Sequence, residues 1–197
     1  LELVKLSPLM ERTSGRSELK IGLIDGPVVL DHPDLLSGNI REISRGMKGA
    51  CTHTDSSACI HGTFVAGMLA ARRGSVAPAI CPGCTLLVRP IFTETEMTNG
   101  EMPSATPGEL AKAILDCINA GAQVLNISAS LAQPSLKSER ALEESLNYAA
   151  QRDVIVVVAA GNQGTLGSTA ITRHPWVIPV VAYDLQRKPM DHSNLGN

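Results

Sequence analysis

The chain has 197 residues, 17 Lys plus Arg against 19 Asp plus Glu for a formal charge of −2, and 44% hydrophobic residues. That length suits one α/β domain, and the apolar share excludes wholesale disorder. The balanced charge and the scarcity of aromatics (Phe64, Phe92, Tyr148, Trp176, Tyr183) exclude a phosphate-backbone or base-stacking protein, and the longest apolar run, 154–160, is too short to cross a bilayer.

Residues 1–19 read as an N-terminal extension and 20–197 as the domain itself. The run 20–25 (KIGLID) predicts a buried strand, stopped by Gly26 and Pro27. The run 61–73 (HGTFVAGMLAARR) predicts a helix opened by His61, with Val65, Met68 and Leu69 on one stripe. Residues 86–88 predict a second strand broken by Pro90, and 93–107 a polar surface loop. Thr106-Pro107-Gly108-Glu109 fits a capping box with proline at the first helical position. The helix it opens carries Leu110, Ile114, Leu115 and Ile118 and ends at Gly121. Next come a strand at 124–128 (VLNIS), a turn at 135–138, a helix at 139–152 and a strand at 154–159 (VIVVVA). That last run is apolar at every position, as expected where both faces of a sheet are covered. A final strand is expected at 177–182. The alternation predicts a doubly wound, mostly parallel α/β sheet with helices on both faces.

Ligands in such sheets bind beyond the carboxyl ends of the strands. Asp25 closes the first strand, Ser128 closes the third, and Gly161-Asn162 follows the fully apolar one. His61-Gly62-Thr63 supplies an imidazole near a helix start. No Gly-x-Gly-x-x-Gly follows the first strand, which argues against a dinucleotide site.

The motifs resemble those of subtilisin-like serine proteases, in family order from residue 20 to the end. Ile24-Asp25-Gly26-Pro27 with His32-Pro33-Asp34-Leu35 resembles their aspartate motif. His61-Gly62-Thr63-Phe64-Val65-Ala66-Gly67 resembles their histidine motif, with Phe64 in place of a second histidine. Cys81-Pro82-Gly83-Cys84-Thr85-Leu86 resembles the stretch before the next strand, Asn126-Ile127-Ser128 the substrate-flanking strand, and Ala159 to Gly164 (AAGNQG) the oxyanion-hole motif. His174-Pro175-Trp176-Val177-Ile178 and Ser193-Asn194-Leu195-Gly196 resemble later landmarks. More narrowly, Ile24 to Val28 and Pro82-Gly83-Cys84 resemble proteases of cyanobactin-type peptide maturation.

The resemblance implies a serine endopeptidase that hydrolyses peptide bonds through an acyl-enzyme. Serine is a poor nucleophile without a base, and the implied base is His61, oriented by Asp25. Asn162 is the implied oxyanion donor. Ser128, Ala129, Ser130 and Gly161 are the implied substrate-binding residues, with Ser130 standing where the family usually has glycine. The family's Gly-Thr-Ser-x-Ala nucleophile motif does not occur in these 197 residues. The serine segment is therefore expected elsewhere: in a disordered or further part of the protein, lost by truncation or cleavage, or supplied by a second chain. The chain alone is expected to be inactive. Ser168 (Gly167-Ser168-Thr169-Ala170) superficially resembles that motif but does not precede a helix. The rival reading is a non-catalytic, protease-like module that holds peptides.

Plainer readings apply to other residues. His32 reads as structural in a Pro-bounded turn, and His53, His174 and His192 lie in polar segments with no matching catalytic motif. Five cysteines allow two bridges and one thiol, or none. Among Cys51, Cys59, Cys81 and Cys84, a zinc site, a disulfide and buried free thiols are the three alternatives. No cofactor or metal is assigned to the site, although the resemblance admits a structural calcium ion. The expected partner is a peptide or protein substrate, with neither nucleic acid nor membrane. Cysteine usage favours a cytoplasmic protein over a secreted one.

Overall fold

A computed structural model describes residues 3–36, 39–43, 51–76, 79–94, 105–131 and 139–196. The expected turn at 135–138 lies outside them, as does most of the expected loop at 93–107. Ten elements follow in chain order: α1 (Ser7–Arg12), β1 (Lys20–Asp25), β2 (Asn39–Glu42), α2 (Ser57–Ala70), β3 (Thr85–Pro90), α3 (Pro107–Asn119), β4 (Val124–Ile127), α4 (Arg140–Gln151), β5 (Ile155–Ala159) and β6 (Val177–Val180). The strands form one parallel sheet in the order β2-β3-β1-β4-β5-β6. Among the described residues no helix is long and apolar enough to cross a membrane.

This order reverses direction at β1. Strands β2 and β3 lie to one side of it, and β4 to β6 step away on the other. Right-handed crossovers then demand helices on opposite faces for the two halves. Helices α3 and α4 pack together on one face, over the core formed by Ile24, Leu87, Leu125, Ile127, Val156 and Val158. Helix α2 covers β1 and β3 on the other face, against Leu23, Leu86 and Val88. A crevice opens where the direction reverses, at the carboxyl end of β1.

Local chemistry explains the helices. In α3, Thr106 accepts from Glu109 N, the Glu109 carboxylate accepts from Thr106 N, and Pro107 stands at the start. Leu110, Ile114, Cys117 and Ile118 are buried, whereas Leu115, expected on the same stripe, faces solvent. In α4, Leu142, Ser145, Leu146 and Ala149 repeat at helical spacing and are buried. Burying Leu142 or Leu146 stabilises the fold by about 1.5–3 kcal/mol each.

Four expectations are corrected. Helix α2 starts at Ser57, capped by Ser56 Oγ accepting from Cys59 N, so His61 lies in its second turn. Its buried face is small (Ala58, Cys59, Gly62, Ala66, Ala70), whereas Met68 is exposed and Val65 and Leu69 are half-buried. Strand β3 continues through Pro90, which lies past Val88, the last residue that β2 pairs with, so no β2 ladder bond is lost. Strand β5 is fully covered on one face only: Val156 and Val158 are buried, whereas on the other face Val157 and Ala159 are half-buried and Ile155 is exposed.

The open face is extensive. Ile155, Ile178 and Val180 are exposed on the α2 side of the sheet. Ile60, Phe64 and Met68, spaced four apart on α2, are exposed as well, Phe64 by 65%.

Candidate active site

Asp25 is the last residue of β1 and only 1% exposed. Its Oδ1 accepts from Gly26 N at 2.6 Å and lies 2.8 Å from His61 Nδ1. Two residues from distant parts of the chain thus meet as the motifs implied. The contact needs α2 to lie close to the end of β1, and two glycines permit it. A Cβ on Gly26 would stand 2.0 Å from Ala58 O, and one on Gly62 would stand 2.4 Å from Pro27 O. Thr63 Oγ1 adds a tie by accepting from Val29 N at 2.9 Å.

The electrostatics follow. The hydrogen bond to Asp25 raises the His61 pKa above the usual 6.5, reinforced by the carboxylate charge and opposed by partial burial. With Nδ1 directed at a carboxylate, Nε2 is the ring nitrogen left to exchange a proton.

Ser128 follows β4 directly, and its backbone N–H donates to Ile24 O at 3.0 Å. Its Oγ accepts from Asn126 Nδ2 at 3.0 Å. Ala129 and Ser130 continue beyond the ladder and are half-buried. Gly161 follows β5 with φ +110, a conformation that favours glycine. A Cβ there would stand 2.3 Å from Asn194 Nδ2 and 2.9 Å from Ser130 Oγ, so the loops beyond β4 and β5 touch. Asn162 is exposed at this same carboxyl edge of the sheet. The expected site residues therefore share one edge, with Asp25 and His61 in direct contact.

Other residues fall where the plainer readings put them. His32 Nδ1 accepts from Asp34 N at 3.2 Å, inside its own turn. His174 Nδ1 accepts from Trp176 N, and burial lowers its pKa. Ser168 lies in the loop beyond β5 and lines a small cleft with Thr172 and Asn194.

Cys51 and Cys59 form a disulfide, while Cys81, Cys84 and Cys117 are free. Of the three alternatives for Cys51, Cys59, Cys81 and Cys84, the structure has the disulfide, as one bridge rather than the two the count allowed, because only one pair of sulfurs is close enough to bond. Burial and the neighbouring Cys84 push the Cys81 thiol up to about 12, unlike a reactive thiolate. Glu94 accepts from the backbone N–H groups of Thr52 and His53 and lies beside the bridge. Cys51, Cys59 and Glu94 are the one metal-capable grouping of such side chains among the described residues. Its two sulfurs are bonded to each other, and soft sulfur does not suit calcium, which takes oxygen ligands.

Two structural contributors carried no signal by residue type alone. The close approach of Gly26 and Gly62 lies inside the matched motifs, where each glycine looked like mere punctuation. Asn194 looked like a landmark only, yet it is buried against the Gly161 loop.

A carboxylate-held imidazole at the carboxyl edge of a doubly wound parallel sheet is an arrangement in which one ring nitrogen is oriented and the other can accept and return a proton. The chain belongs to the subtilase family (peptidase S8), whose profile matches residues 16–197. It is 31% identical over 184 residues to a thermophilic serine proteinase of Bacillus sp. (strain AK1), covering 93% of this chain and 43% of that protein. Subtilisin Savinase of Lederbergia lenta is 28% identical over 181 residues, covering 91% of this chain and 61% of the relative. A solved mutant of the protease domain of PatA matches with TM-score 0.84 at 29% identity, covering 93% of this chain and 64% of that one. The prenylagaramide maturation protease PagA matches with TM-score 0.83 at 26% identity, covering 98% and 64%. The chain spans less than two thirds of the length of each of these four proteins.

Proposed function

We propose that these residues form the Asp–His and oxyanion part of a serine endopeptidase whose serine is supplied by sequence beyond the 197 residues. The observation that carries this is the 2.8 Å contact between Asp25 Oδ1 and His61 Nδ1. Neutral His61 keeps its Nδ1 proton and donates a hydrogen bond through it to Asp25, and Nε2 accepts the proton of the serine hydroxyl as its oxygen attacks the peptide carbonyl. Asp25 stabilises the imidazolium that results. The Asn162 amide donates to the oxyanion of the tetrahedral intermediate. His61 then passes its proton to the leaving amine, and the acyl-enzyme that remains is hydrolysed by water activated the same way.

The substrate binds extended, its backbone beside residues 128–130 and Gly161. Ser130 narrows the pocket for the residue before the cut bond. The solved maturation proteases among the structural neighbours support a precursor peptide as the substrate. The open apolar face beside α2 supports a further segment packed there, since a surface of that kind is normally covered.

A fluorophosphonate probe tests this reading. The full-length protein is expected to be labelled at serine, with labelling lost in His61→Ala and absent from the 197-residue chain alone. Labelling of the 197-residue chain, or undiminished labelling of His61→Ala, would overturn it.

A further inference from the structure

The loop 160–165 must present Asn162 to a reacting carbonyl, yet Asn162 itself is exposed. Something beneath it must hold the loop. Asn194 is 5% exposed and meets that loop from the segment 192–195. Its backbone N–H donates to Gly161 O at 2.9 Å. Its Oδ1 accepts from Gln163 N at 2.9 Å and from Thr165 N at 3.1 Å. Its Nδ2 donates to Ala160 O at 3.2 Å and to Gln163 Oε1 at 2.7 Å.

Both lone pairs and both amide protons of the side chain are therefore used, all on one loop. The residues on either side of Asn162 are each tied to Asn194, and Asn162 is left free between them. Gly161, at φ +110, leaves room for the Asn194 amide where any other residue would place its Cβ. The flanking chain adds its own pairing: Gly164 N donates to His192 O, and Leu195 N donates to Thr165 O.

We propose that Asn194 is a positioning residue for catalysis, fixing the backbone on both sides of Asn162 so that the oxyanion donor is pre-aimed. This rests on the reading of Asn162 given above. Carboxamide chemistry is required at position 194. A carboxylate keeps the acceptors but turns two donors into lone pairs facing Ala160 O and Gln163 Oε1. Alanine leaves Gln163 N and Thr165 N without their acceptor.

A double-mutant cycle on the full-length protein, with a peptide substrate, tests the assignment. Asn162→Ala is expected to lower kcat about 10²–10³-fold, the loss known for such a donor in a subtilisin, which is this family's type case. Asn194→Ala is expected to lower kcat about 10–100-fold with KM within about twofold. In the Asn162→Ala background, Asn194→Ala is expected to cost less than about threefold, because its effect runs through Asn162. If Asn194→Ala fails to melt cooperatively, Asn194→Asp, which keeps the volume, is put through the same cycle with the same expectation. Undiminished kcat in the position-194 variant, or its full loss repeated in the Asn162→Ala background, overturns the assignment alone. An Asn162→Ala variant with undiminished kcat overturns the oxyanion reading and the assignment with it.

Discussion

Asp25 fixes the tautomer of His61, and that one contact sets two opposite pH dependences. Because the fold raises the His61 pKa, the imidazolium is favoured in the folded state. Its stabilisation is fully present below the ordinary value of about 6.5 and fades as pH rises through the raised value. The proposed mechanism needs the neutral ring, so it predicts a rate that rises with pH through that same raised value. A pH profile of kcat/KM on the full-length protein is expected to show an acid limb with its midpoint above 6.5. Asp25→Asn is expected to move that midpoint down and to lower kcat on the order of 10⁴-fold. An unmoved midpoint would mean that Asp25 does not govern His61. These two residues were legible in the sequence because each lies in a motif whose neighbours are also specified. Asn194 was not, because its role is a set of hydrogen bonds to a loop about thirty residues earlier, which residue type alone does not announce.

Helix α2 carries His61, and its position depends on having no side chain at two points. Gly62→Ala would gain about 1 kcal/mol of helix propensity. The added methyl would stand 2.4 Å from a backbone oxygen of Pro27, and backbone does not yield like a flexible side chain. Overpacking of this kind costs about 1–3 kcal/mol, so the clash wins. Gly62→Ala is expected to lower Tm and also to lower kcat more than 10-fold, by moving His61 away from Asp25. Retained Tm and kcat together would show that α2 does not need this approach. Thr106→Ala, at the start of α3, is expected to cost about 1 kcal/mol, read as a fall of about 2–4 °C in Tm with kcat unchanged. Helix α3 was legible because cap, proline and apolar spacing agree. The start of α2 was not, since Ser56 and Ser57 precede small residues that carry no apolar period. Strand β2 was missed because its four residues, Asn39–Glu42, include one apolar side chain, Ile40, and lie at the sheet edge.

The parallel sheet explains why the site lies at the end of β1. Reversal of strand order there opens the crevice, and the two halves carry helices on opposite faces. The α3–α4 face is closed over by Leu142, Leu146 and Ile114, all fully buried. The other face is half open, with Phe64 and Ile178 exposed. The apolar run of β5 suggests cover on both sides, but only the face of Val156 and Val158 has it in full, because no helix among the described residues packs over Ile155. The 197-residue chain by itself is expected to bind a hydrophobic dye and to self-associate at micromolar concentration, whereas the full-length protein does neither. Light scattering with dye fluorescence checks this, and a monodisperse, dye-silent 197-residue chain would contradict it.

The most direct test of the Asp25–His61 pair is peptide turnover by the full-length protein carrying His61→Ala. A loss of at least about 10³-fold in kcat/KM, with the melting temperature preserved, is expected if this imidazole moves the proton. Wild-type turnover by a folded His61→Ala protein would contradict the account.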